Sequence, residues 1–112
     1  MREIKFQAWD LDAEQMYNWE SIRQHFHEHL DHPRVKVRQY TGLKDINGRE
    51  IYEEDITRDD DGFLWKIYWE DGSFWAKGGE FNLREQLIEL APDFCEIIGD
   101  VYRNPELLEA AE

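Results

Sequence analysis

The chain has one cysteine (Cys95), two serines (Ser21 and Ser73), three prolines and few bases among its 112 residues. A single cysteine excludes an internal disulfide and any cysteine-rich zinc site. Neither serine has a triad-like context, and the chain lacks a serine elbow, a phosphate-binding glycine loop and a dinucleotide fingerprint. No apolar run approaches the ~18 residues that span a bilayer. The opening Met1-Arg2-Glu3 does not lead into a signal-peptide core. Lys and Arg number 13 against 26 Asp and Glu, a formal charge of −13. Such a chain repels phosphate, because nucleic-acid binding draws on the counterions that Lys and Arg release. Direct nucleic-acid binding and attachment to anionic membranes are therefore not expected.

What is present is a foldable composition, with 41% hydrophobic and 14% aromatic residues. The length suits one domain over residues 1–112, expected to be soluble and cytoplasmic. The acidity is uneven. Residues 1–60 carry 14 acids and 9 bases, residues 61–112 carry 12 acids and 4 bases.

Turn signals are closely spaced, which points to many short strands. Ile4, Phe6 and Ala8 alternate with polar neighbours over residues 3–9, and a polar turn lets residues 16–19 return as a second arm. Ser21 is placed to cap a helix with Ile22, Phe26 and Leu30 on one face. Pro33 should stop that helix near His32. Asn47-Gly48 is the strongest hairpin signal, since both residues accept the positive φ of a tight turn. Ile56 and Thr57 start a strand that ends at Asp59-Asp60-Asp61-Gly62. Phe63, Trp65, Ile67 and Trp69 share a face of the next strand, and Asp71-Gly72 turns it into residues 73–76. After Gly78-Gly79, Asn82 is placed to cap a helix carrying Leu83, Leu87 and Leu90. A last strand over residues 94–102 should bulge or bend at Gly99, and Asn104-Pro105-Glu106 opens a final short helix. The predicted fold is mainly β (a β-rich α+β): a small coiled or bifurcated antiparallel sheet, or a partly open barrel, with two or three short helices.

Three separated blocks then become recognisable. They are Ile4-Lys5-Phe6-Gln7-Ala8-Trp9-Asp10 with Met16-Tyr17; Gln39-Tyr40-Thr41-Gly42-Leu43-Lys44-Asp45 with Asn47-Gly48, Glu50-Ile51-Tyr52 and Asp55-Ile56; and Glu96-Ile97-Ile98-Gly99-Asp100-Val101-Tyr102 with Asn104-Pro105-Glu106-Leu107-Leu108. In order and spacing the chain resembles the YopX family of bacteriophage and prophage proteins, over nearly its whole length. Glu54 stands where that family usually has a glycine. The resemblance implies coiled β-sheets, a phage or prophage origin and a bacterial cytoplasmic location. It implies no activity, cofactor or catalytic residue.

Among constellations that carry chemistry, the histidines are the sharpest. All four lie within eight residues, and in a helix His25, His29 and His32 fall at i, i+4 and i+7, where imidazoles can share a Zn²⁺. The plainer reading is a solvated or edge-packed set, so these are weak metal candidates. Arg34, Lys36 and Arg38 alternate with Val35 and Val37, so a strand places the cations on one face. That stripe is either a solvated outer face or a contact for an acidic partner or another subunit. Glu53-Glu54-Asp55 and Asp59-Asp60-Asp61 read as acidic turns, without the alternate spacing of an EF-hand loop. Trp65, Trp69 and Trp75, with Phe63, Tyr68 and Phe74, read as core-forming side chains before they read as a stacking platform. Cys95 reads as a buried small hydrophobe.

The function expected from these features is a non-enzymatic accessory protein without a cofactor, acting through a protein partner or as a homo-oligomer. Two alternatives stand beside it. One is an acidic nucleic-acid mimic that inhibits a host DNA-binding enzyme, and the other is a histidine-dependent metal hydrolase.

Overall fold

Short alternating segments closed by left-handed turns form two antiparallel sheets in the computed structural model of the chain, which describes residues 4–111. The first sheet contains β1 (Phe6–Asp10), β2 (Gln15–Tyr17), β3 (Val35–Lys44) and β4 (Glu50–Tyr52), in the order β2-β1-β3-β4. The second contains β5 (Asp55–Arg58), β6 (Leu64–Glu70), β7 (Ser73–Gly78), β8 (Leu83–Gln86) and β9 (Glu96–Asp100), in the order β8-β7-β6-β5-β9. One of the two sheets curls into half a barrel. The mainly β class with short helices agrees with the sequence reading. Glu3, expected in the first strand, lies outside the described residues.

The helices are α1 (Trp19–Ile22), α2 (Phe26–Asp31), α3 (Leu87–Leu90) and α4 (Pro105–Ala111), with a 3-10 turn at Arg23–His25 between the first two. Two helical expectations are corrected. Asn18, not Ser21, is the first N-cap, its Oδ1 accepting from Ser21 N at 3.0 Å. The 3-10 turn then breaks the helical register, so Ile22 is buried, Phe26 is half-buried and Leu30 stands exposed. Further along, Asn82 adopts a left-handed φ of 51° and caps no helix, and Leu83–Gln86 is a strand paired with β7. Helix is confined to Leu87–Leu90. The glycine turn decides this. A Cβ on Gly78 would sit 2.1 Å from the Leu64 carbonyl oxygen, so the chain passes against β6 there and returns along the open edge of β7.

The main core lies against the second sheet. Trp65 and Ile67 of β6 pack with Phe74 and Ala76 of β7, Ile97, Cys95, Leu87 and Ile51. Alternation places the β6 pair inside, while Phe63 and Trp69, on the same face at its ends, remain partly exposed. A smaller aromatic cluster covers the first sheet. Phe6 lies 4.6 Å from Phe26 and 5.7 Å from Trp19 between ring centroids.

The chain crosses from one sheet to the other at Glu53-Glu54, between β4 and β5. Glu54 adopts φ 71°, a left-handed geometry that glycine favours. Its N–H donates to Ile67 O at 2.7 Å and its carbonyl accepts from Val101 N at 3.0 Å. The last strand has its register shift between Ile56 and Thr57, opposite Gly99 and Ile97, as the glycine signal anticipates.

Candidate functional site

The crossing point is also where the buried charge collects. Arg38 on β3, Asp55 at the start of β5 and Asp100 at the end of β9 are 3%, 3% and 0% exposed. Arg38 Nη1 donates to Asp55 Oδ1 at 2.5 Å and lies 4.0 Å from Asp100 Oδ2. Its Nε and Nη2 donate to Gln7 Oε1 on β1 at 2.9 and 2.6 Å, and the guanidinium lies 5.2 Å from the centre of the Tyr52 ring. Asp55 Oδ2 accepts from Tyr52 N at 2.8 Å. Asp100 Oδ1 accepts from Tyr102 N and Arg103 N, and its Oδ2 accepts from Arg103 Nε at 2.7 Å. One guanidinium therefore ties both sheets together.

Burial pushes Asp55 above the usual carboxylate range, against the pull of Arg38. Burial also raises the Tyr52 and Tyr102 hydroxyls to about 12. All hydrogen-bonding partners of the two carboxylates belong to the scaffold. This is the geometry of a structural tie.

Other aspartates of the recognisable blocks do similar work. Asp45 is 2% exposed, accepts from Asn47 N and Arg49 N through Oδ1, and reaches Ile97 N with Oδ2 at 2.9 Å. Asp10 Oδ1 accepts from Asp12 N and Ala13 N, and the Ala13 bond leads in holding its carboxyl below the usual value. In the Asn47-Gly48 loop only Gly48 is left-handed, because Asp45 supplies the remaining turn bonds. The Asn104 side chain accepts from Asp100 N, and a Cβ on Gly99 would lie 2.4 Å from its Oδ1. Several of the residues that make the sequence recognisable hold its turns.

The cationic stripe divides. Lys36 is exposed on β3; Arg34 is exposed just before the strand and paired with Asp12 at 3.1 Å. Arg38 shares the face of Lys36 but is sealed beneath the sheet junction, so it presents no charge to a partner. The histidines divide as well. His25 ends the 3-10 turn, His27 and His29 lie in α2, and His32 is an extended C-cap whose Nδ1 accepts from Arg34 N at 3.1 Å. The continuous helical stripe expected of His25, His29 and His32 is absent, because the turn and Pro33 break it at both ends.

Among the described residues, the one grouping of three acidic, histidine or cysteine ligands is Asp59-Asp60-Asp61. Asp59 is already committed: it accepts from Asp61 N, Phe63 N and Trp65 Nε1. Trp75 lies beneath Arg84, 4.1 Å from ring centre to guanidinium carbon, and Trp69 meets Phe74 edge-on at 4.7 Å. Cys95 is buried, and its burial pushes the thiol up to about 11.

Two surface hollows stand out among the described residues. The larger, of about 440 Å³, is an open cleft lined by the β3 bulge at Thr41–Leu43, the start of β7, and Gln86–Ile88. The smaller, of about 170 Å³, lies between Ile46, Arg58 and the 93–96 segment. Around the larger cleft and β8 stand exposed apolar side chains, Phe81, Leu83 and Ile88, at 73%, 60% and 65%. The helical reading of residues 83–90 missed this edge. The Gly78-Gly79 break was the available signal. Gln7 as partner of Arg38 had no sequence signal, because residues 31 apart meet only through β1–β3 pairing.

Comparison with known proteins places this architecture. The crystal structure of protein EF1440 from Enterococcus faecalis superposes with a TM-score of 0.71 and 24% identity, covering 96% of this chain and 99% of that one. That of protein yopX from Bacillus subtilis gives 0.61 and 19%, covering 92% and 96%. No curated protein matches the chain. The family description "YopX protein" matches residues 20–109, so the first recognisable block lies outside that match, although both structures extend over more of the chain. With 20–109 matched and the same fold in both structures, the chain belongs to the YopX family.

Proposed function

We propose that the chain is a non-enzymatic phage or prophage accessory module that acts by contact with another protein or with copies of itself. The observation that carries this reading is the division of its side chains. The buried charged groups Arg38, Asp45, Asp55 and Asp100 are bonded to backbone, to one another or to neighbouring side chains of the scaffold. Large apolar groups, by contrast, stand in solvent, among them Phe81, Leu83 and Ile88 around one open sheet edge. A nuclease-treated host lysate passed over the immobilised protein at low and high salt should return a stoichiometric partner, or light scattering should give a defined oligomer. A strict monomer that captures nothing overturns the reading.

Nucleic-acid mimicry is a second reading, favoured by the net charge of −13 and its concentration in residues 61–112. A mimic would inhibit a host DNA-binding enzyme, and the inhibition would weaken steeply with salt. Inhibition unchanged between low and high salt counts against it.

A further inference from the structure

Resting on the interaction reading above, we infer that β8 is a docking edge for an extended cationic segment of another protein. That segment adds to the second sheet as its next strand and seats an apolar side chain in the cleft at the end of β8.

The position of β8 supports this first. It is terminal in the sheet and pairs with β7 alone, and all four of its residues are exposed. A terminal strand offers unpaired N–H and C=O groups along one side, ready to pair with an added strand. At the opposite edge, β9 is closed by side chains: Ile97 N donates to Asp45 and Asp100 N to Asn104. At the edge of the first sheet, Tyr52 N of β4 donates to Asp55. The remaining edge, β2, has three residues.

The cleft provides the second element of specificity. It begins at Gln86, where β8 ends, and its apolar walls come from Leu43, Phe74, Leu87 and Ile88. Strand addition draws affinity from main-chain bonds and selectivity from pockets for individual side chains. Exposed Leu83 extends the apolar surface along the strand itself.

Charge selects the partner. Residues 70–90, from the end of β6 through β7 and β8 to α3, hold five acids against Lys77 and Arg84. Arg84 is already paired with Glu70 at 2.6 Å and stacked on Trp75. A segment that alternates basic and apolar residues matches both the field and the cleft.

The same residues disfavour a second copy. Residues facing each other across a two-fold strand pair lie on the same side of the sheet, so each register centres on one residue opposite itself. Centring on Arg84 or Glu85 places like charges in contact. Centring on Leu83 needs the left-handed Asn82 to extend, and centring on Gln86 needs Leu87 to leave its helix.

The test uses a fluorescein-labelled peptide of alternating Lys and Val with one central Leu, and two twins. One twin is N-methylated at alternate residues, and the other carries Glu for Lys. Fluorescence polarisation should show binding of the parent, with the methylated twin and the Glu twin each about tenfold or more weaker. Amide exchange should slow at Leu83–Gln86 when the parent binds. An Ile88→Ser variant, altered at an exposed position, should weaken the parent about tenfold while its circular dichroism stays unchanged.

Equal binding of the methylated twin, protection at a different edge, or no binding of the parent overturns the proposal. A dimer abolished by Leu83→Glu also overturns it, assigning the edge to a second copy. If Leu83→Glu and Ile88→Ser leave capture of a host partner intact, the interaction reading stands and the β8 assignment falls.

Discussion

Arg38 is the residue on which the two sheets meet. Replacing it with Leu leaves Asp55 buried without its ion-pair partner and Gln7 without two donors. Breaking a buried pair from one side costs about 3–5 kcal/mol, and urea unfolding of Arg38→Leu should show a loss of that size. Asp55→Asn should lose less, because Gln7 and Asp100 still face the guanidinium. A loss below about 1 kcal/mol for Arg38→Leu, the size of an exposed pair, would mean that the tie adds little. Glu53 supplies the pH dependence. Burial raises its carboxyl above 4.5 despite the bond from Gln39 N. An acid raised in the folded state holds its proton more tightly there, so its contribution to stability declines as pH rises from 4.5 through the raised value. Glu53→Gln retains an acceptor and removes the charge. Relative to wild type it should gain stability near neutral pH, and the gain should vanish below 4.5 in paired denaturation curves. The alternation of residues 34–38 foretold that Lys36 and Arg38 share a face. It did not foretell burial, because the segment that seals Arg38 arrives from residues 52–55 and 100–103.

At the scale of elements, the crossing between β4 and β5 stores strain that can be measured. A non-glycine residue at left-handed φ costs roughly 1–2 kcal/mol, and Glu54 occupies that position at φ 71°. Its ion pair with Lys66, 3.5 Å long and partly exposed, returns little. Glu54→Gly should therefore raise stability by about 1 kcal/mol, read as a higher urea midpoint at unchanged slope. A lower midpoint would show that the ion pair outweighs the strain. Strands and turns were legible wherever local chemistry decides them. Asp71-Gly72 is left-handed at both residues, and the β6–β7 hairpin lies where alternation and turn residues place it. The second arm of the first hairpin stops at Tyr17, because Asn18 caps α1 and Trp19 opens it. Residues 83–86 were illegible for the opposite reason. Leu, Arg, Glu and Gln all favour helix, and only the unfilled edge of β7 makes them a strand.

For the whole molecule, charge is the dominant global feature. At −13 the folded chain repels itself, and salt screens that repulsion. Raising NaCl from about 50 to about 500 mM should lift the thermal midpoint by a few degrees. A fall would mean that exposed pairs such as Arg34–Asp12 and Arg84–Glu70 dominate. Family membership also operates at this scale. The recognisable blocks contain Asp10, Asp45, Asp55, Gly99, Asp100 and Asn104, whose contacts in this chain hold turns and the sheet junction. The sequence by itself determined the mainly β class, the family, most turns and the surplus of negative charge, because these depend on neighbours in the chain or on composition. Tertiary structure alone decided which cation is buried and which sheet edge stays open. Those outcomes depend on contacts between segments tens of residues apart, where the exclusion of water, and not local geometry, selects the arrangement.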